Sequence, residues 1–361
     1  MKKGNTSKYS ILNYMMNHIS VTKADLSREL NLSMPTVISN VNEMMQMGLI
    51  VETGEAESNG GRKAKSLDVN KDYCFALGVD ITRRHVGMVL LNLKGEVVKQ
   101  ERVRREFVPD ITYCRQLEAQ IQKFYQGEVN QEKILGVGIS LPGIINQKEK
   151  VLVKSHALNI ENYSLKMIEQ FLSFPVYFEN DANAAMLAEN PEMLKNAIYL
   201  SLNNTLGGAV SINGELYSGQ CRKAGEFGHM ILQPNGRTCY CGKKGCADAY
   251  CAASVLTQNG QETLEGFMGR IGRDQKTDER WQEYLEHLAM LISNLRMAFD
   301  ADIILGGDVG GYLVDHMPEL GDKLFRYNYF DGDMSYVKNC SYKKEASAVG
   351  AAKYFLRQLL L

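Results

Sequence analysis

The chain has 361 residues, of which 45% are hydrophobic and 23% charged. That composition excludes a largely disordered chain and a disulfide-dense miniprotein, and the length allows two or three domains with buried cores. The formal net charge is only -1, so any contact with nucleic acid must come from one local surface rather than from the chain as a whole.

No uncharged apolar run approaches the roughly 18–20 residues that span a bilayer, so no membrane contact is expected. The start is basic (Lys2, Lys3), but no apolar signal core follows. We therefore expect a cytoplasmic protein.

Residues 1–70 read as one module. Ile11, Leu12, Met15 and Met16 form a helical apolar stripe. Thr22 and Asp25 form a capping-box variant that opens a second helix carrying Leu26 and Leu30. After the break at Asn31-Leu32, Ser33 is a helix cap with Pro35 in the first turn, where a missing N–H costs nothing. Val37, Val41 and Met44 line the inner face of this third helix, and Gly48 ends it. Leu49-Ile50-Val51 and Ser66-Leu67-Asp68-Val69 then read as a hairpin with a long polar tip containing Gly60-Gly61.

From about Tyr73 to the end, taken as residues 71–361, the pattern is α/β. Strands are expected at Cys74–Val79, Val86–Leu91, Glu96–Glu106, Lys133–Ile139 and Val176–Glu179, with helices at Ile111–Tyr125 and Ala182–Glu189. A second, similar run starts at Ala197-Ile198-Tyr199-Leu200. It continues through a long helix, Trp281–Phe299, to the strand Asp302–Leu305 and Gly306-Gly307. The repetition suggests a duplicated fold with a cleft between two lobes, about 71–190 and about 191–361.

Helix, tight turn, helix and hairpin together make a winged helix-turn-helix, in which the third helix enters the major groove of DNA. Ser33, Thr36, Ser39 and Asn40 lie on or near its outward face, and Gly61, Arg62 and Lys63 form a cationic wing tip. Residues 1–70 hold eight Lys and Arg against seven Asp and Glu. One module therefore binds modestly, and a dimer or tetramer is expected. The plainer alternative is a helical protein-interaction domain.

Cys239, Cys241 and Cys246 fall within eight positions, and His229 lies ten positions upstream. Three Cys and one His make a closed tetrahedral zinc set, which is structural rather than catalytic. A redox pair or buried free thiols are the alternatives.

Two polar blocks stand in apolar surroundings: Glu179-Asn180-Asp181-Ala182-Asn183-Ala184-Ala185 and Ala224-Gly225-Glu226-Phe227-Gly228-His229. Carboxylates, an amide and an imidazole suit a polyol, whose hydroxyls both donate and accept. Helix capping is the plainer use of Asn180 and Asp181.

With Leu141-Pro142-Gly143 and Cys239-x-Cys241-Gly242-x-x-Gly245-Cys246, these blocks resemble the ROK family of repressors and sugar kinases, over a stretch from about Ser10 to the end. The resemblance implies an actin/hexokinase-like (ribonuclease H-like) fold with a monosaccharide between its lobes. It places Asn180, Asp181, Glu226 and the Gly143 turn at the sugar, and it gives His229 one ring nitrogen for zinc and one for sugar. A further Glu is usual two residues after the last zinc Cys; here the position is Asp248.

Kinases of the family carry glycine loops for ATP phosphates. The first usually reads Asp-x-Gly-Gly-Thr and here reads Asp80-Ile81-Thr82-Arg83-Arg84; the second is altered in its first three positions, at Asn203-Asn204-Thr205 ahead of Leu206-Gly207-Gly208-Ala209. A third, near the end, is Gly306-Gly307-Asp308. Backbone N–H groups cannot approach phosphates past bulky side chains. The expectation is therefore a repressor rather than an enzyme, binding operator DNA and released by a monosaccharide. The alternative is an ATP-dependent sugar kinase carrying a DNA-binding domain.

Overall fold

A computed structural model of the chain describes residues 6–55, 65–190 and 194–360. The N-terminal module holds α1 (Thr6–Asn17), α2 (Lys23–Glu29) and α3 (Met34–Gln46), followed by the antiparallel pair β1 (Ile50–Glu55) and β2 (Lys65–Val69). The expected caps are present. The Thr22 side chain accepts from Asp25 N while the Asp25 carboxylate accepts from Thr22 N at 3.0 Å. Ser33 Oγ accepts from Thr36 N. At the end of α3, Gly48 N donates to Met45 O and Leu49 N to Met44 O, with Gly48 at φ 78°. This is a Schellman closure, and only glycine adopts that φ without strain. Ile11, Met15, Leu26, Val37 and Val41 are fully buried between these helices.

The first lobe carries β3 (Phe75–Ile81), β4 (His85–Asn92), β5 (Val97–Arg104), α4 (Ile111–Tyr125) and β6 (Ile134–Leu141). A small sheet of β7 (Ile144–Asn146), β8 (Val151–Ser155) and β9 (Ile160–Ser164) follows, then α5 (Lys166–Glu169), β10 (Val176–Asn180) and α6 (Asp181–Ala188). The second lobe carries β11 (Asn196–Leu202), β12 (Leu206–Ile212), β13 (Glu215–Leu216), α7 (Asp248–Cys251), α8 (Ala253–Leu256), α9 (Leu264–Met268) and α10 (Gln275–Phe299). It ends with β14 (Asp302–Gly306), α11 (Gly307–Leu313), α12 (Met317–Tyr327) and β15 (Val337–Asn339), before the terminal α13 (Ala346–Leu360).

The two large sheets share one plan. Their orders are β10-β6-β3-β4-β5 and β13-β12-β11-β14-β15. In each, three successive strands form an antiparallel meander, and two later strands add in parallel beside its first strand. Parallel addition requires a crossover, which α4 supplies in the first lobe and the run of helices through α10 in the second. Each sheet has its own apolar core, centred on Leu117, Val137 and Ile139 in the first lobe and on Trp281, Leu288 and Ile303 in the second.

One division made from sequence is corrected here. The expected second lobe ran to residue 361, but α13 packs on β3, β4, β6 and α6 of the first lobe. Its small residues allow an unusually close approach. A Cβ added at Gly78 would lie 2.0 Å from Ala348 O, and one at Gly138 would lie 2.0 Å from Ala351 O. The chain thus crosses between lobes twice, after α6 and before α13. The crossings are tied: Ser341 N donates to both Glu189 carboxylate oxygens at 3.0 Å, and Lys353 Nζ donates to Ala188 O at 2.6 Å.

The N-terminal module does not hang on a free linker. Its core continues into Cys74 and Leu93 of the first lobe, and Lys94 pairs with Asp68 at 2.5 Å with both side chains largely buried. Replacing Gly138 by Ala forces α13 outward; overpacking of this kind costs about 1–3 kcal/mol. The expected outcome is a matching loss of stability in urea unfolding, with an unchanged result refuting the close contact.

Candidate functional site

A cleft of about 770 Å³ lies between the lobes. From the first lobe come the Pro142-Gly143 turn, Gln147, Lys154, His156 and the β10–α6 junction; from the second come Gly207, Gly208, Arg222, Lys223, Glu226, His229 and Tyr240. The junction is a helix start. Asn180 is its cap, with Oδ1 accepting from Ala182 N at 2.9 Å and Asn183 N at 3.0 Å, while Nδ2 donates to Gly143 O at 3.0 Å. Capping and site building are therefore the same act: the cap holds the Gly143 turn against the start of α6. Asp181 accepts from Ala182 N at 2.9 Å through one oxygen. Burial pushes the Asp181 carboxyl above its usual range.

Glu226 approaches from the second lobe. Burial raises its pKa first, and the Asp181 carboxylate raises it further. Its loop is held by a backbone contact between Gly225 and Gly208: a Cβ at Gly225, which sits at φ 88°, would lie 2.3 Å from Gly208 O. Hence Gly207 and Gly208 belong to strand β12, where the second glycine is required for packing.

His229 is placed between two environments. Its Nδ1 is buried and without a hydrogen-bond partner. Its Nε2 lies 3.3 Å from Tyr240 Oη and 3.8 Å from Glu226 Oε2, on the cleft side. The ligand atoms of His229, Cys239, Cys241 and Cys246 all lie within 4.8 Å of one another, and all eight cysteines are free thiols. The sulfurs of Cys241 and Cys246 are 3.7 Å apart. A tetrahedral ion with metal–sulfur bonds of about 2.3 Å places its sulfurs about 3.8 Å apart. The orphaned nitrogen, the three thiols and their spacing fit a metal ion.

Sequence reasoning placed one residue differently. Asp248 is buried, and its Oδ1 accepts from Leu206 N at 2.7 Å. It lines a neighbouring cavity and not the cleft that holds Asn180, Asp181, Glu226, His229 and Gly143. The shorter side chain is used to hold the start of β12. Tyr240, His156 and Arg222 were not expected in the cleft. Tyr240 was findable, because a residue between Cys239 and Cys241 is carried to wherever their cluster with His229 forms. Arg222 Nη1 donates across the cleft to Ile145 O at 2.9 Å; a lone arginine in a loop gives no such signal.

On the N-terminal module, Ser33 and Ser39 are exposed, while Thr36 and Asn40 are half-buried. The Ser33 and Thr36 hydroxyls bond each other at 2.8 Å, and Asn40 Nδ2 donates back to Thr36 O at 2.8 Å. Met34 and Ile38 share the outer surface. Gly61, Arg62 and Lys63 lie outside the described residues.

At the first altered loop, Asp80 accepts from Ser140 Oγ at 2.7 Å. Burial pushes its pKa up to about 7.

A two-lobed α/β fold with a polar interlobe cleft and an attached winged helix defines a class of ligand-responsive DNA-binding protein. The ROK family profile matches residues 76–358, and a profile for winged helix-turn-helix DNA-binding matches residues 5–51. The chain belongs to the ROK family. It is 26% identical to a putative xylose repressor of Caldicellulosiruptor sp. over 340 residues, covering 86% of this chain and 84% of that one. It is 30% identical to the xylose repressor of Bacillus subtilis over 255 residues, covering 69% of this chain and 66% of that one. The N-acetylglucosamine repressor of Escherichia coli is 23% identical over 266 residues, covering 71% and 65%.

Among solved structures, a ROK family transcriptional regulator, homologous to the E. coli MLC protein, superposes with a TM-score of 0.75 at 21% identity over 98% of this chain and 95% of that one. A ROK family glucokinase from Streptomyces griseus, in complex with glucose and AMPPNP, superposes at 0.63 with 22% identity, over 78% and 98%. These two show a shared fold. No helix among the described residues is long and apolar enough to cross a membrane.

Two outcomes follow from this geometry. Cys241→Ser should reduce bound metal to near zero by elemental analysis; full metal content would refute the ligand set. Asp80 is protonated more readily folded than unfolded, so its contribution to stability is full below about pH 4 and is lost as pH rises through about 7. Asp80→Asn should therefore be more stable than the parent at pH 8 and no more stable at pH 4 in urea unfolding. An equal gain at both would refute the buried acid.

Proposed function

We propose that the chain is a sugar-responsive transcriptional repressor that binds operator DNA through residues 1–70 and is released by a monosaccharide in the cleft of residues 71–361. The observation that carries this reading is the pair of carboxylates, Asp181 and Glu226, facing one cleft from opposite lobes, with the DNA-binding module packed on one of those lobes. Names of relatives make xylose the first sugar to test, followed by N-acetylglucosamine.

Each carboxylate accepts hydrogen bonds from hydroxyls, and a polyol donating to both replaces their mutual repulsion with attraction. Sugar binding thus favours closed lobes. Closure moves the attached α3, and in a homodimer or tetramer it changes the spacing of two recognition helices, set for half-sites about 34–36 Å apart. A coupling of ~1–3 kcal/mol, about 5–150-fold in affinity, is sufficient.

The metal is assigned as zinc, held by His229 Nδ1 and the thiolates of Cys239, Cys241 and Cys246. Zinc supplies a fixed cross-link in the second lobe. The His229 ring, so oriented, offers Nε2 to a sugar hydroxyl. Asp181 also suits a general base, yet a base without a bound phosphoryl donor performs no phosphoryl transfer; the loop at Asp80–Arg84 has no glycine, and the loop at Asn203–Ala209 is altered in its first three positions.

The test is fluorescence anisotropy on the chain's own upstream promoter DNA, with a panel of monosaccharides at fixed salt. Specific binding weakened by one sugar is the expected result; absence of specific binding, with ATP turnover on the same panel, would establish the kinase reading instead. Asp181→Ala should abolish the sugar response and keep DNA binding. Arg62→Ala should weaken operator binding several-fold and keep sugar binding; equal DNA affinity would sink the wing assignment.

A further inference from the structure

The outer face of α3 is less polar than a reading face built on Thr36, Ser39 and Asn40. Met34 and Ile38, four residues apart in its first two turns, are 40% and 41% exposed. Ser39 follows on the surface, with a hydroxyl that has no partner among the described residues. The inner side of the helix is used for packing, through Val37, Val41 and Met44. In a helix-turn-helix, the residues at the start of the recognition helix are the ones that meet base edges. Here that start presents two apolar side chains to solvent.

The polar side chains around them are engaged inside the module. The Thr36 hydroxyl is bonded to Ser33, and the Asn40 amide nitrogen turns back to Thr36 O. One turn further on, Asn42 Oδ1 accepts from Lys23 Nζ at 3.0 Å, and the Glu43 carboxylate is paired with Lys8. The α1 and α2 cations Lys8 and Lys23 thus stand beside the apolar pair, where they neutralise the one acid of this face and supply the positive charge that a phosphate backbone attracts. The match to winged helix-turn-helix DNA-binding covers all of these residues.

We propose that α3 reads thymine methyl groups: Met34 and Ile38 enter the major groove of the operator and pack on the 5-methyl groups of two nearby thymines, with Ser39 as a hydrogen-bonding neighbour. This rests on the reading of residues 1–70 as the operator-binding module and names the base chemistry that module selects. Base edges in the major groove offer donors, acceptors and one apolar group, the C5 methyl of thymine. An apolar side chain gains there by taking that methyl and itself out of water. Set against a G·C pair, the same side chain strips water from O6, N7 or the N4 amino group and returns no hydrogen bond. Selectivity thus comes from an attraction to thymine and a penalty against guanine and cytosine together. The spacing fits: four residues of helix rise about 6 Å, close to two base-pair steps of about 3.4 Å. The two thymines are therefore expected about two steps apart in each half-site.

The test is fluorescence anisotropy of the full chain, at fixed salt, on its own upstream promoter DNA made once with thymine and once with uracil in its place. Uracil pairs as thymine does and lacks only the methyl group. The parent should bind the uracil DNA about tenfold more weakly or worse, from about fourfold for each buried methyl. Met34→Ala/Ile38→Ala should bind thymine DNA about as weakly as the parent binds uracil DNA, and should lose most of the preference between the two. Ile38→Ser alone should lose part of it, and it carries the test if the double variant fails to unfold in urea as the parent does. Val314→Ala, at an exposed apolar position of the second lobe, should keep the preference in full. Equal affinity of the parent for the two DNAs overturns the proposal and leaves the operator reading standing. A thymine preference that the variants retain in full also overturns it, since DNA deformability is then what is read. Absence of specific binding to either DNA removes the operator reading, and this proposal with it.

Discussion

Two like charges held in one cleft from opposite sides are the constraint on which the rest of the structure depends. Asp181 loses solvent at the start of α6, and Glu226, whose side chain stays open to the cleft, feels the Asp181 charge. Neither residue has a cation bonded to it among the described residues. The arrangement is stable only because each carboxylate is fixed by its own lobe. Asp181 opens α6, and the Asn180 cap anchors that helix start to Gly143. Glu226 sits on a loop pinned by the Gly225–Gly208 contact and followed at once by His229. The cluster of His229, Cys239, Cys241 and Cys246, which could hold a metal ion, stands at the end of that loop. The demand for hydroxyl donors is thus built into the backbone of both lobes.

The same anchors explain how a change in the cleft can reach the DNA-binding module. The lobes are joined by two crossings, and Glu189 ties these to each other through Ser341. Rotation about such a pair of strapped segments is a hinge motion rather than independent drift. The winged helix shares its core with Cys74 and Leu93 and is stapled by Lys94 and Asp68. Breaking a buried pair of that kind costs several kcal/mol, about 3–5 when one partner is removed. The module is therefore packed on the first lobe and not merely tethered to it.

Local chemistry was legible in the sequence, and long-range packing was not. The capping box at Thr22 and Asp25, the Ser33 cap with Pro35, and α4 at Ile111–Tyr125 follow from contacts within a few residues. The His/Cys cluster was legible for the same reason, since three of its four residues lie in one tight loop. The β7–β9 sheet was missed because its strands are three to five residues long and mix polar with apolar positions. The allegiance of α13 to the first lobe rests on glycines in β3 and β6, some two to three hundred residues away in the chain, which no periodicity can reveal. Asp248 stands beside the cleft with one oxygen accepting from Leu206 N, and only the fold shows which N–H is within its reach.

The kinase-like fold raises the question of what the remaining glycines are for, and the packing answers it. Gly208 leaves room for Phe227 and for the Gly225 carbonyl, and Gly307, at φ 77°, passes against Leu202 N and Asn203. The N–H that follows, on Asp308, is taken by Asn203 Oδ1 at 2.8 Å, so it is spent within the protein. These glycines persist because β12 and the start of α11 need them, whatever ligand is or is not bound. The first loop has no such packing role: the β3–β4 turn is closed by Thr82 bonding His85 O and N, a turn that tolerates arginine at its two tip positions. Glycine stands where backbone meets backbone, and the β3–β4 turn, where no such contact is made, carries arginine. That difference separates a shared architecture from a shared activity.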